Sequence, residues 1–206
     1  MKKVLIILAI LFLNFAYSQE DFVEKGIKAY DRGDYPTALK YFQQACDQNN
    51  NYSCNKLGFM YVNGYGIKRD VLKAKELFEK ACVLNDGEGC LNLGYMYLSG
   101  ESIKKDNFKA IDFFQKSCDL NNGYGCFSLA TMYKEGKGIK KDNFKAIDFF
   151  QKSCDLNNGY GCLSLGIIYE YGKGIKKDIS KATEFYSRAC DLKIDAGCGN
   201  YARLKQ

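Results

Sequence analysis

The stretch Ile103–Cys126, IKKDNFKAIDFFQKSCDLNNGYGC, returns without a single change as Ile139–Cys162, a shift of 36 residues, from 103 to 139. Looser copies of the same text precede and follow the identical pair. A period of this size is the signature of one supersecondary unit stacked on copies of itself, each contacting mainly its neighbours. The spacing predicts one repeat domain over 19–206. It contains a first unit at about 21–46, repeats at 54–82, 90–118, 126–154 and 162–190, and a capping segment at 198–206.

Aligned on the second cysteine, the repeats read CNKLGFMY, CLNLGYMY, CFSLATMY and CLSLGIIY. Cys126, Leu129, Ala130 and Tyr133 fall at i, i+3, i+4 and i+7, one face of a helix. The same face is Cys54, Leu57, Gly58, Tyr61, then Cys90, Leu93, Gly94, Tyr97, then Cys162, Leu165, Gly166, Tyr169. Glycine in a helix costs about 1 kcal/mol against alanine. Its return at one position, with Ala130 the exception, predicts that another helix passes too close there for a larger side chain.

Gly64, Gly100, Gly136 and Gly172 end these helices as left-handed caps require, and Asp70, Asp106, Asp142 and Asp178 open the next ones. In the second helix of the third unit, Ala110, Ile111, Phe114, Ser117 and Cys118 line one face, and the helix closes near Asn121-Asn122-Gly123. Each unit is therefore an antiparallel helix pair, and the fold class is all-α.

Ten cysteines stand at 46, 54, 82, 90, 118, 126, 154, 162, 190 and 198. Two local pairings fit that spacing: partners eight apart, or links such as Cys54 to Cys82 across the longer stretch. Parity chooses, because the second strands Cys46 and Cys198. The expected bonds are Cys46–Cys54, Cys82–Cys90, Cys118–Cys126, Cys154–Cys162 and Cys190–Cys198, each joining the second helix of one unit to the first helix of the next. With no histidine and no C-x2-C spacing, zinc is not the use of these thiols; no metal and no cofactor is expected.

Oxidised cysteines imply export. Met1 to Lys3 is a short basic start, Val4 to Phe15 an apolar run, and Ala16-Tyr17-Ser18 a small-residue cleavage site, so 1–18 reads as a signal peptide. The run is too short for a comfortable membrane span, and nothing later qualifies. The expected product is periplasmic or secreted, and a monomer. Net charge is +6. The basic residues recur in loops (Lys68, Arg69; Lys104, Lys105; Lys140, Lys141; Lys176, Lys177) with acidic residues beside every pair, which reads as solvated loops and not as a nucleic-acid surface.

The opening unit, GIKAYDRGDYPTALKYFQQAC from Gly26 to Cys46, looks like a tetratricopeptide repeat through Gly33-Asp34-Tyr35, Ala38, Phe42 and Ala45, with Pro36 just inside its second helix. LGYMYLSG, FKAIDFF and KSCDL resemble Sel-one-like repeats, a subclass of that fold, and the cysteine pair with seven residues between its members resembles the Helicobacter cysteine-rich protein family. That resemblance implies a right-handed solenoid stapled by disulfides. It also implies two activities. Some members are described as penicillin-binding proteins with weak β-lactamase activity, others as secreted factors that contact host components.

Catalysis leaves little trace in the chain. S-x-x-K occurs at Ser53 to Lys56 and at Ser102 to Lys105, but the S-D-N and K-T-G elements of serine β-lactamases are absent. Both serines read as loop residues, Ser53 just before a helix. The catalytic residues of any β-lactamase are unknown from the sequence. Without histidine there is no Ser-His or Cys-His pair. Gly64-Tyr65-Gly66, Gly136-Lys137-Gly138 and Gly172-Lys173-Gly174 follow helices and read as turns, not phosphate cradles.

Binding is easier to argue. If the first helices line a concave side, their residues off the core face are Asn55, Phe59, Val62, then Leu91, Tyr95, Leu98, then Phe127, Thr131, Lys134, and Leu163, Ile167, Glu170. Large apolar groups on a wet surface mark an interaction site, unless curvature buries them between units. The expected partner is a peptide or protein. Under the family-implied reading it is a β-lactam or peptidoglycan-like small molecule.

Overall fold

Aspartate and asparagine side chains punctuate the chain into helices. In the computed structural model, which describes residues 21–206, α1 covers 21–31 and is followed by α2 (Tyr35–Asp47), α3 (Asn51–Asn63), α4 (Val71–Val83) and α5 (Gly87–Ser99). Then come α6 (Asn107–Asp119), α7 (Gly123–Glu135), α8 (Asn143–Asp155), α9 (Gly159–Tyr171), α10 (Ile179–Asp191) and α11 (Asp195–Leu204). Among the described residues there is no strand. The expected signal peptide lies outside the described residues. Two compact units divide the chain, one ending at Gly89 and one beginning at Cys90.

Asp34, Asp70, Asp106, Asp142 and Asp178 cap the second helix of each pair, their carboxylates accepting first-turn N–H groups. Each such cap is worth about 1 kcal/mol. Gly64, Gly136 and Gly172 end α3, α7 and α9 at φ of +72°, +70° and +64°. The turn back from α6 to α7 splits its two asparagines by task. Asn121 takes the left-handed conformation at φ +60°, while Asn122 caps α7 by accepting the Gly125 N–H. In the sequence alone the pair reads only as a helix end. The lysine or arginine near the end of the second helix reaches the preceding second helix: Lys80 donates to the Cys46 carbonyl at 2.6 Å, and Arg188 to that of Cys154 at 3.2 Å. Both put positive charge at a helix C-terminus.

In the first unit α2 packs on α3 and α3 on α4; in the second, neighbours from α6 to α11 pack in succession. The expected core face is the buried one: Cys54, Leu57 and Gly58, and likewise Cys126, Leu129 and Ala130, are shielded from solvent. The recurring glycine has a more specific cause than the close helix that was expected. A ring from the partner helix lies on it. A Cβ would stand 2.8 Å from the Phe78 ring at Gly58, 2.4 Å from Phe114 at Gly94 and 2.5 Å from Tyr186 at Gly166.

A second device repeats in the unit beginning at Cys90. Tyr97, Tyr133 and Tyr169 each stack nearly parallel on Phe113, Phe149 and Phe185, with centroids 5.6 Å apart. On the same three tyrosines stand the ammonium groups of Lys109, Lys145 and Lys181, 5.1 to 5.3 Å from the centroids. The FKAIDFF text is thereby explained, since its Lys and last-but-one Phe, four residues apart, reach one tyrosine.

Disulfides join Cys46–Cys54, Cys118–Cys126, Cys154–Cys162 and Cys190–Cys198 with Cα atoms 4.5 to 4.7 Å apart. Cys82 and Cys90 are disulfide-bonded too, and among the described residues no cysteine is free. Each described bond ties the end of a second helix to the start of the next first helix, in the eight-apart pattern that parity required.

Candidate binding site

On α3 the open face is Tyr52, Lys56 and Phe59, spaced i, i+4, i+7. These three side chains look across a hollow of about 320 Å³ toward Ile27, Tyr30 and Asp31 of α1. Phe42 of α2, 1% exposed, forms the floor, and Glu88 from the first turn of α5 stands at the rim. All eight residues belong to the unit ending at Gly89.

Aromatic contacts hold the walls. Phe42 meets Tyr52 edge to face at 6.4 Å and 71°, and Tyr30 meets Tyr35 at 5.5 Å and Tyr65 at 6.2 Å. Tyr65 stacks on Tyr35 at 4.9 Å and closes on Phe59 at 6.0 Å. Gly66 permits this: at φ +68° it lies against Tyr35, where a Cβ would come within 2.6 Å of that residue's own Cβ. The Gly-x-Gly element is thus turn chemistry that seats a tyrosine.

The electrostatics lean acidic. Burial pushes the Tyr52 phenol above its ordinary pKa, and the charges of Glu88, Asp31 and Asp86 push it further. Tyr30 is raised by burial first, then by its neighbours Tyr65, Tyr35 and Asp31. Asp86 itself is raised by burial, against the bond its carboxylate accepts from the Gly89 N–H at 2.6 Å. One cation enters the hollow. Lys56 places its ammonium 5.1 Å from the centroid of the Tyr52 ring.

Of the residues expected to line a groove, Phe59 and Tyr95 are exposed, at 41% and 43%. Asn55 and Leu91 are instead buried, at 1% and 8%, because that row turns toward neighbouring helices. Phe127 and Leu163 are half-buried against the core of the second unit, Phe127 lying 5.7 Å from Phe150 and 6.0 Å from Tyr160. Thr131 and Ile167 are half-buried, and the Thr131 hydroxyl is spent on the Phe127 carbonyl. The Tyr95 hydroxyl bonds that of Ser128 at 2.8 Å. Glu170 is 6% exposed and accepts from Tyr186 at 2.7 Å and from Arg203 at 2.8 Å.

Sequence reading missed Tyr52, Lys56 and the α1 wall. The i, i+3, i+4 run Ile27, Tyr30, Asp31 was the signal available for that wall. Ser53 needs correction. It is not a loop residue before a helix but lies inside the first turn of α3, fully buried, with its N–H bound to the Asn50 side chain. The equivalent glycines sit on a tight seam, where a Cβ at Gly125 would come within 2.6 Å of the Ser117 Cβ. A buried hydroxyl there cannot meet a β-lactam. Ser102 is exposed in the loop between α5 and α6.

Capped helix pairs and a disulfide across the turn between one pair and the next define a repeat protein of the interaction-module class. The chain belongs to the Sel1 repeat family, whose profile matches residues 15–50, 51–86, 87–122, 123–158 and 159–193, the tetratricopeptide-like opening unit included. Within it the chain sides with the cysteine-rich branch. It is 37% identical to the structure of Helicobacter pylori cysteine-rich protein B, at a TM-score of 0.52 over 64% of this chain and 94% of that one. It is also 40% identical over 54 residues to HcpC of H. pylori, a protein named as a β-lactamase. That alignment spans 26% of this chain and only 19% of the relative's length. A Sel1 repeat protein from Oxalobacter formigenes superposes at a TM-score of 0.81 with 29% identity, over 88% of this chain and 74% of that one.

Proposed function

We propose that this protein is an exported interaction module that holds an extended peptide against α1 and α3, with one side chain of the ligand anchored in the hollow between them. The carrying observation is the hollow itself: a pocket of aromatic walls, one of which is the exposed Phe59. A buried floor with a polar, charged rim is the usual anatomy of a side-chain anchor site.

The test is peptide selection from a random display library on purified, oxidised protein, followed by fluorescence anisotropy on the peptides recovered. Phe59→Ala should weaken them at least tenfold with the fold intact by circular dichroism. Peptides that bind the variant equally well, or none recovered above an unrelated bait, overturn the reading. Export is supported by the oxidised cysteines and by the leader-like 1–18. Recovery of the full-length protein from the cytosol with reduced thiols would remove that part.

A further inference from the structure

We infer that the anchor taken by this hollow is a basic side chain, lysine or arginine, of the bound peptide; the inference rests on the peptide-binding reading above. Three features point the same way. Tyr30, Tyr52 and Phe59 present ring systems around the space, and the negative face of such a ring attracts a cation within about 6 Å of its centroid.

Asp31 and Glu88 supply exposed carboxylates at the rim, from α1 and from α5, neither in an ion pair among the described residues, and a carboxylate makes a charge-assisted bond to an ammonium or guanidinium. The local sum is two carboxylates against one lysine, and Asp86, whose charge also acts on Tyr52, adds a third acid at that side.

The third feature is the protein's own Lys56. Its ammonium stands over the Tyr52 ring, 5.1 Å from the centroid, with its charge also felt by the Asp86 carboxylate. The molecule thereby already uses the hollow to hold a cation, and uses only one of the faces available. A ligand ammonium or guanidinium would take the opposite side, between Tyr30 and Asp31, or would displace Lys56 from its ring toward solvent. In either case Lys56 is a competitor and not a recognition element. This makes a prediction of opposite sign to the alternative in which Lys56 receives an acidic side chain or a C-terminal carboxylate.

The experiment takes one selected peptide and makes a matched set with lysine, arginine, leucine or glutamate at the anchor position. Binding is measured by anisotropy to the oxidised full chain and to Glu88→Gln and Lys56→Met, both changes at the rim and not in the core. Lysine or arginine should bind at least tenfold tighter than leucine. Glu88→Gln should erase most of that margin without weakening the leucine peptide, and Lys56→Met should tighten the basic peptides severalfold. A leucine or glutamate preference, an unchanged margin in Glu88→Gln, or weaker basic binding in Lys56→Met overturns the basic anchor. Phe59-dependent binding of a leucine-anchored peptide would leave the groove reading standing, so the two can fail separately.

Discussion

Replacing Glu170 by alanine probes how α11 and α10 are held to α9. The carboxylate is 6% exposed and accepts three bonds, from the Tyr186 hydroxyl at 2.7 Å and from the Arg203 guanidinium at 2.8 and 2.9 Å. Arg203 is half exposed and would simply be hydrated once unpaired, so it adds little. Tyr186 is fully buried, and its hydroxyl would be left without this acceptor. An orphaned buried donor costs about 1–3 kcal/mol. A loss of about 2 kcal/mol lowers Tm by about 4–8 °C in a chain of this size. Glu170→Gln, which still offers Tyr186 a carbonyl oxygen, should lose about half as much.

The pH dependence fixes the origin of the effect. Burial alone would raise the Glu170 pKa. The bonds from Tyr186 and Arg203 outweigh it and hold the carboxyl below its ordinary value of 4.5. A depressed carboxyl contributes stability above that ordinary value and loses it as pH falls through the folded value. The gap between wild type and Glu170→Ala, measured by thermal melts followed at 222 nm, should therefore be full at pH 7 and narrow toward pH 3. A gap under 1 °C at pH 7, or one that stays the same at pH 3, would refute the reasoning.

Two further predictions rest on single positions. Gly166→Ala should destabilise more than Gly58→Ala: both Cβ atoms press a ring, but Tyr186 is tethered through its hydroxyl to Glu170, while Phe78 has no hydroxyl and can slide. Overpacking of about 1–3 kcal/mol against a helix gain of about 1 kcal/mol should leave Gly58→Ala within about 1 kcal/mol of wild type and Gly166→Ala about 2 kcal/mol below it, as chemical denaturation would show. Asp86→Asn puts at the start of α5 the residue that Asn50, Asn122 and Asn158 supply to α3, α7 and α9. Because burial raises the Asp86 pKa, wild-type stability falls as pH rises through the window above its ordinary 3.8. The variant should melt higher than wild type at pH 7 and lose that advantage near pH 3; a lower melting point at pH 7 would contradict it.

Much of what closes within one 36-residue period was legible in the chain. The caps at Asp106 and Gly136, the buried face Cys126-Leu129-Ala130 and the eight-apart disulfides need only neighbours in sequence, so periodicity and parity were enough. The binding face was not, because it depends on how far each helix is rolled about its axis. Taking Asn55, Phe59 and Val62 as the open face placed it roughly 60° from the face that Tyr52, Lys56 and Phe59 present, at 3.6 residues per turn. That roll is set by rings on other helices, such as Phe42 under Tyr52 and Phe78 against Gly58. The hollow itself collects side chains from Ile27 to Glu88 on four helices, and no local pattern records such a meeting. The sequence by itself determined the hairpin, its caps and its sulfur bonds. Packing between helices alone decided which residues face outward together, since contacts distant in the chain leave no period to read.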